Sequence, residues 1–209
     1  PAIFQRIMET TLAGIEGVLV YLDDITVTAP DDEEHVRRLR KVLERLRNAG
    51  FRLKKEKCEF LKEEIELLGH LVNAQGVKPC ANKIKAMVEM PDPKNVKEIE
   101  SFLGMVQYYA KFVPNLSTLA APLNDLRKKD VKWVWGQEQI KACKAIRDKL
   151  ASADNLTHYN PDIPVILATD ASEYGLGAVI YHKYADGNEK VIAYASRSLT
   201  KCEKNYGQI

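Results

Sequence analysis

The sequence is poor in the features that mark several classes of protein. Its 209 residues include only four cysteines, Cys58, Cys80, Cys143 and Cys202, and none of them forms a C-x-x-C pair. The four histidines show no H-x-x-x-H spacing, so a zinc site is not expected. The thiols are most simply free in a reducing compartment, and we expect an intracellular protein.

Long apolar runs and a charge of one sign are also missing. The longest apolar run near the start, Val18 to Leu22, falls far short of the roughly 20 residues that a membrane helix needs. Lys and Arg number 31 against 29 Asp and Glu, which permits a nucleic-acid partner without demanding one. Pro1 opens the chain and no apolar signal core follows, so we expect neither secretion nor a membrane span, and we expect a piece of a longer reading frame.

Hydrophobic residues make up 45% of the chain and charged residues 29%, which is typical of folded proteins. The apolar period predicts helices over or near residues 1–13, 33–49, 84–88, 95–113, 119–126 and 140–150. It predicts strands over 18–22, 25–29, 51–60 and 65–72, and a three-stranded meander after Pro161. The expected fold class is α+β.

The helix predicted over 33–49 has an apolar and a charged side. Its apolar residues recur at helical spacing at Val36, Leu39, Leu43 and Leu46. Its other side carries Arg37, Arg38, Arg40, Lys41, Glu44, Arg45 and Arg47. That side is either a solvated helix face or a surface that contacts phosphates.

Two adjacent carboxylates, Asp23 and Asp24, lie between two apolar strands. Like charges this close repel, and burying either carboxylate without a partner costs roughly several kcal/mol. That cost favours the binding of a cation beside the pair. A divalent cation such as Mg²⁺ prefers carboxylate oxygens and substrate phosphates. The alternative is a polar hairpin turn, which Asp also favours. Both interpretations stay open from this pair alone.

Short motifs along almost the whole chain resemble the Pol polyprotein of gypsy-type long-terminal-repeat retrotransposons. Tyr21-Leu22-Asp23-Asp24 looks like the Y-x-D-D box of reverse transcriptases. The motifs that follow in order are Glu34-His35-x-x-x-Leu39, Lys57-Cys58-x-Phe60, Leu68-Gly69-His70, Phe102-Leu103-Gly104-x-x-x-Tyr108-Tyr109, Ala121-Pro122-Leu123, Trp133-Val134-Trp135, Thr169-Asp170-Ala171-Ser172 and Ala193-Tyr194-Ala195-Ser196-Arg197. Each motif is weak alone, and their collinearity makes the resemblance specific.

The resemblance implies a right-hand polymerase palm and thumb fragment followed by an incomplete RNase H-like meander. Residues 1–75 would be the later half of the palm, 76–128 the thumb, 129–160 a connecting segment and 161–209 the start of the RNase H-like domain. Asp23 and Asp24 would hold catalytic Mg²⁺ or Mn²⁺, and Asp170 would match the first metal-binding carboxylate of RNase H. The partners would be a template–primer duplex, a deoxynucleoside triphosphate and the rest of the polyprotein, with no membrane.

The same resemblance implies a set of nucleic-acid contacts. Leu68, Gly69 and His70 would form the hairpin that positions the primer 3′ end, and Tyr21 belongs to the carboxylate box. Glu100, Gly104 and Tyr108 are four residues apart and share one stripe of a helix. That stripe would face the minor groove, although the acid at Glu100 departs from such a role. The alternative is that Gly104 only packs against another helix.

Three hypotheses about function remain open. The first is an inactive fragment of a retroelement reverse transcriptase, since the family's third palm carboxylate and later RNase H carboxylates are not in this sequence. The second is a polymerase that takes its missing parts from another chain. The third is a domesticated relic that works as a nucleic-acid-binding or scaffold protein. Read without the resemblance, Asp170 could also be a plain turn residue at the end of a strand.

Overall fold

The computed structural model describes residues 1–206 and forms two compact units. The first is Pro1–Lys62, and the second contains the described chain from Glu63 onward. We expected the first structural division near residue 75, and it falls earlier because the strands after Glu63 pack with the helices that follow them. The functional division into palm, thumb, connecting and RNase H-like segments stays a prediction. No helix in residues 1–206 is both long and apolar enough to cross a membrane.

The first unit is a helix pair packed on a hairpin. Its elements are α1 (Ala2–Leu12), β1 (Val18–Tyr21), β2 (Asp24–Val27), α2 (Asp32–Asn48) and a 3₁₀ turn at Lys55–Lys57. Strands β1 and β2 are antiparallel, with Val20 opposite Ile25. The core joins both helices to one face of the hairpin and contains Met8, Leu12, Ile15, Val42 and Leu46, with Val18, Val20, Ile25, Val27 and Phe51 packed against them.

Helix α2 begins at an N-cap, where the Asp31 carboxylate accepts a hydrogen bond from the Glu34 amide at 2.8 Å. Its inward face differs from the predicted one. Val42 and Leu46 are buried, but Val36 and Leu43 are 45% and 39% exposed. The helix therefore lies rotated relative to its apolar stripe, and Val36, Leu39 and Leu43 line a shallow groove on its outer side.

Arg38 takes the inward position that the apolar stripe does not fill. Its side chain is only 11% exposed, and its guanidinium donates to the Glu34 carboxylate at 2.6 Å and to the Thr28 carbonyl at 2.9 Å. These bonds offset the cost of burying the charge. Arg38 is thus neither a solvated residue nor a phosphate contact, contrary to both interpretations of the charged face.

The strand predicted over residues 51–60 is wrong. Those residues contain only the 3₁₀ turn Lys55–Lys57, and most of their side chains are exposed. The run Lys54-Lys55-Glu56-Lys57 is charged, so it offers no apolar face to bury against a sheet.

The second unit begins with a three-stranded antiparallel sheet in the order β3-β4-β5 and ends with a second one in the order β6-β7-β8. The strands are β3 (Glu64–Leu67), β4 (His70–Asn73), β5 (Gly76–Pro79), β6 (Val165–Ala171), β7 (Gly175–Lys183) and β8 (Glu189–Ser198). The helices between them are α3 (Ala81–Val88), α4 (Val96–Tyr108), α5 (Leu116–Leu119), α6 (Ala121–Asp125) and α7 (Gln137–Ala151). Short 3₁₀ turns occur at Ala110–Phe112 and Glu203–Asn205.

One core runs through this unit. Ile99, Phe102 and Val106 of α4 and Ile146 of α7 are each 0% exposed. Val191 and Tyr194 of β8 pack against the same cluster. The predicted segment borders at 128/129 and 160/161 are therefore not borders between separate cores. The structure confirms a mixed architecture of helices and antiparallel sheets.

We predict that Arg38→Met destabilises the first unit by about 1.5–3 kcal/mol, because the Thr28 carbonyl and the Glu34 carboxylate lose a charged donor. Arg37→Met is the matched control, since Arg37 binds the same carboxylate at 2.5 Å but its side chain is 57% exposed. Hydrogen exchange of the β1 and β2 amides reports this unit. Equal loss of protection in both variants would contradict the buried role of Arg38.

Candidate nucleic-acid and metal site

The carboxylate pair does not occupy the turn as predicted. Tyr21 pairs with Asp24 across the hairpin, so the two-residue turn is Leu22-Asp23 and Asp24 is the first residue of β2. Leu22 takes a left-handed backbone with φ 52°. Asp23 thus lies at the tip, and Asp24 lies beside Tyr21 on the face that points away from the core. Tyr21 is 49% exposed on that face.

A side chain that the sequence analysis missed holds this turn. Gln5 of α1 donates from its Nε2 to the Val20 carbonyl at 3.0 Å, and its Oε1 accepts a hydrogen bond from the Leu22 amide. One amide group therefore bonds the hairpin on both sides of Tyr21. No local pattern could reveal it, because Gln5 lies on an exposed-looking turn of a helix far from the hairpin in sequence.

The described residues fit a divalent cation only in part. Asp23 and Asp24 offer adjacent carboxylates, which suit Mg²⁺ or Mn²⁺ with most of its water retained. Within residues 1–206, no group of three or more His, Cys, Asp or Glu side chains could hold a metal ion. The pair can therefore contribute ligands, but the complete set that two-metal chemistry requires is not assembled by this part of the chain.

The second predicted element, the turn at Leu68-Gly69, is a tight hairpin between β3 and β4. Leu67 pairs with His70, and both turn residues have positive φ, 49° and 73°. This is the two-residue turn that matches the twist of the strands, and Gly69 adopts it without a Cβ penalty. Leu68 is 38% exposed at the tip.

Two tyrosines at the end of α4 hold that turn by its carbonyl groups. The Tyr108 hydroxyl donates to the Leu68 carbonyl, and the Tyr109 hydroxyl donates to the Gly69 carbonyl at 3.0 Å. Tyr109 is 5% exposed, whereas Tyr108 is 53% exposed. We call these two bonds the tyrosine clamp. The predicted primer hairpin and the predicted thumb helix are thereby joined within one unit.

His70 packs under the turn rather than presenting its ring at the tip. Its ring lies 5.3 Å from Tyr108, 5.4 Å from Tyr109 and 5.7 Å from Phe112, centroid to centroid. Burial, together with the nearby Lys111 ammonium, lowers the pKa of His70 from its ordinary value. A neutral, packed His70 supports the hairpin, so the direct contacts available at the tip are Leu68 and the turn backbone.

The residues of the predicted α4 stripe, Glu100, Gly104 and Tyr108, lie in two different environments. No described atom outside the helix backbone lies within 4 Å of a Cβ built at Gly104, so the helix-packing alternative is wrong for the described chain. Glu100 and Gly104 line a cleft of about 410 Å³ together with Arg127, Ser196 and Arg197. The Arg127 Nε lies 3.8 Å from the Glu100 carboxylate, which offsets the acid at that end of the stripe. Tyr108 does not line the cleft and belongs to the clamp.

Asp170 lies in β6 near its end, where its carboxylate accepts a hydrogen bond from the Ala171 amide at 2.9 Å. It is exposed. No group of three metal-ligating side chains includes it in residues 1–206. Its predicted metal role therefore stays a prediction that rests on the resemblance.

Two family models match separate segments of this chain. Residues 1–72 match the reverse transcriptase (RNA-dependent DNA polymerase) model, and residues 135–209 match the RNase H-like domain found in reverse transcriptase. The Tf2-3 and Tf2-4 transposon polyproteins of Schizosaccharomyces pombe are each 36% identical to this chain over 208 residues. The match covers 99% of this chain and 16% of each polyprotein, so the chain spans a small part of these relatives' length.

Solved structures agree with these matches. A foamy viral protease–reverse transcriptase in complex with double-stranded DNA is 28% identical, with a TM-score of 0.85, and the match covers 99% of this chain and 43% of that one. The same viral protein in complex with an RNA/DNA hybrid gives the same identity and TM-score over 99% of this chain and 28% of that one. This chain therefore carries reverse transcriptase and RNase H-like sequence of the kind found in retrotransposon polyproteins, and the α+β fold class is confirmed.

We predict that Tyr109→Phe destabilises the second unit by about 0.5–1.5 kcal/mol, because a buried hydroxyl bond to the Gly69 carbonyl is lost. Tyr108→Phe is the control, since water can replace the hydroxyl of a half-exposed ring. Both tryptophans of the chain, Trp133 and Trp135, lie in this unit, so urea unfolding followed by their fluorescence reports it. A loss in Tyr108→Phe as large as in Tyr109→Phe would contradict the clamp as described.

Proposed function

We propose that this chain, which carries reverse transcriptase and RNase H-like sequence, is part of the RNA-directed DNA polymerase of a gypsy-type long-terminal-repeat retrotransposon. Its role there is to hold a template–primer duplex and to supply carboxylates to the polymerase centre. The collinear motifs and the identity to the Tf2 polyproteins support this origin. An intracellular location follows as part of the proposal.

The observation that carries the proposal is the open face of α4 beside the clamped turn. Ile99, Phe102 and Val106 fix one side of the helix in the core, and Gly104 leaves the opposite backbone accessible. A bare helix backbone allows close approach of another backbone or a sugar edge. In the same unit, the tyrosine clamp fixes the turn that would contact the primer 3′ end. The similar foamy viral proteins were solved with double-stranded DNA and with an RNA/DNA hybrid, which supports a duplex as the proposed partner.

The remaining roles follow from the residue types. Leu68 and the Gly69 backbone contact the primer terminus, with His70 supporting them from below. Tyr21 lies beside Asp24 on the open face of the carboxylate hairpin, where it can pack on a sugar or base. Bound Mg²⁺ or Mn²⁺ would lower the pKa of the primer hydroxyl and neutralise the pyrophosphate released from the deoxynucleoside triphosphate. The carboxylates of Asp23 and Asp24 would provide two of the ligands of that metal ion. Asp170 would bind metal in the RNase H-like centre instead.

Gly104→Leu separates duplex binding from folding. A leucine at 104 meets open space and has the better helix propensity, so we predict a gain in stability of about 0.5–1 kcal/mol. The same side chain blocks the open face, so we predict weaker binding of an RNA–DNA hybrid. The wild-type chain should bind the hybrid with a dissociation constant around 10⁻⁴–10⁻⁶ M and lose it by about 200 mM salt. Gel shift and fluorescence-detected melting measure the two effects.

Asn82→Leu is the matched control, because Asn82 is an exposed position of α3 in the same unit. It adds an exposed leucine to a helix without touching α4. Binding that falls equally in both variants would point to non-specific association. Unchanged binding in Gly104→Leu, with a wild-type chain that does bind, would contradict the proposed duplex face.

The carboxylate pair predicts weak metal binding and no polymerisation by this chain alone. Two carboxylates without a third ligand bind Mg²⁺ weakly, with a dissociation constant on the order of millimolar. Given primed poly(rA), dTTP and Mn²⁺, the chain should incorporate nothing above background. Calorimetry that showed micromolar Mg²⁺ affinity, or incorporation that Asp23→Asn abolished, would mean that other groups complete the centre.

A further inference from the structure

A groove between the segments that precede α4 and α7 has no role in the polymerase functions described above. It encloses about 440 Å³ and is lined by Pro91, Asp92, Pro93, Lys94, Trp133 and Trp135. The two indoles are stacked, with ring centroids 5.8 Å apart and an interplanar angle of 12°. They are partly buried and pack against the core of the second unit on their inner side. Their position is therefore fixed by packing.

The charges around this groove are unbalanced in favour of cations. Lys94 lines it, and Lys129 and Lys132 are exposed on the segment that leads to Trp133. Within residues 1–206, none of these three lysines forms an ion pair with a carboxylate. The acid in the groove, Asp92, is already bound by the Arg147 guanidinium at 2.7 Å. Three further acids lie close in sequence, Asp130, Glu98 and Glu138, and the Glu98 carboxylate accepts a hydrogen bond from the Lys94 amide at 2.8 Å. With Lys97, the lysines near the groove outnumber these acids, so its surroundings keep a small net positive charge.

We propose that this groove binds an unpaired nucleic-acid strand. Stacked aromatic side chains beside unpaired lysines are the combination that single-strand-binding surfaces use, because every base has a face that can stack and every nucleotide carries a phosphate. The groove takes an unstacked base against the indoles, and the lysines contact the adjoining phosphates. This site goes beyond the duplex face, since a base that is paired inside a duplex is already stacked on its neighbours.

A proline-rich peptide is the other occupant that an aromatic groove accepts. The lysines that form no ion pair favour the nucleic acid, because polyproline recognition gains nothing from cations. The two occupants differ in their response to salt. Three phosphate contacts to a single strand predict a slope of log affinity against log salt of about −2, whereas an uncharged peptide predicts a slope near zero.

The chain offers an intrinsic reporter for this site. Trp133 and Trp135 are its two tryptophans, so any change in tryptophan fluorescence comes from the groove itself. Titration with an oligothymidylate of about ten nucleotides should quench this fluorescence to saturation with a micromolar midpoint. A blunt duplex of equal length should quench far less.

Charge-removing variants test the groove without touching the packed indoles. Lys94→Gln, Lys129→Gln and Lys132→Gln together should abolish quenching at moderate salt and bring the salt slope close to zero. The matched control removes three exposed lysines, Lys183 in the meander and Lys201 and Lys204 after it, and should quench as the wild type does. Trp135→Ala should weaken binding, read by anisotropy of a labelled oligonucleotide, by about 5- to 150-fold.

Three results would overturn the proposal. The first is a wild-type chain whose fluorescence the oligothymidylate leaves unchanged. The second is equal quenching by the triple-glutamine variant and by its control. The third is quenching by a proline-rich peptide or by the blunt duplex at the level of the single strand, which would reassign the groove. Since the Gly104→Leu test uses a hybrid duplex, failure here leaves the duplex proposal standing.

Discussion

Burial of one side of α4 is the constraint on which the second unit depends. The side chains of Ile99, Phe102 and Val106 in that helix are fully buried. Burial of each one contributes roughly 1.5–3 kcal/mol to the stability of the fold. A glycine inside a helix costs about 1 kcal/mol relative to alanine. The free energy gained by burying the three apolar side chains exceeds this cost, so the helix tolerates Gly104 on its exposed side. The helix is thus rigid where it meets the core and bare where it meets solvent. Both the open face and the clamped turn follow from that asymmetry.

The tyrosine clamp transmits this rigidity to the hairpin. Tyr109 follows the last residue of α4, where its ring is buried and its hydroxyl reaches the Gly69 carbonyl. Tyr108 comes one residue earlier and reaches Leu68 from the more exposed side. Besides the strand pairing, the Gly69 carbonyl also accepts a hydrogen bond from the Cys80 amide at 3.0 Å, so the tyrosine hydroxyls add to a backbone contact that already holds the turn. The first unit solves a similar problem differently, with the Gln5 amide bonded on both sides of Tyr21.

Local patterns predicted much of the chain, and most of their failures share one cause. The carboxylate hairpin, α2, α4 and the last meander follow from apolar period and turn chemistry, and the collinear motifs identified the reverse transcriptase and RNase H-like sequence. The spacing of apolar residues could not show that Arg38 of α2 is buried where an apolar side chain was expected, because its partners are a loop carbonyl and a helix carboxylate. It could not show the open space at Gly104, the Gln5 bonds or the clamp. These features depend on contacts between residues far apart in sequence. The strand predicted over 51–60 fails for a local reason, because the charged run at 54–57 offers no apolar face to bury against a sheet.

Hydrogen exchange with and without an RNA–DNA hybrid at low salt tests the central claim most directly. The account predicts added protection at the Leu68-Gly69 turn and over residues 100–108 of α4, and none at the buried end of α7. The protection should shrink when Gly104→Leu fills the open face, while exchange of the free chain slows or stays the same. Hybrid-dependent protection confined to other regions, with the turn and α4 unchanged, would contradict the assignment of this surface to the duplex.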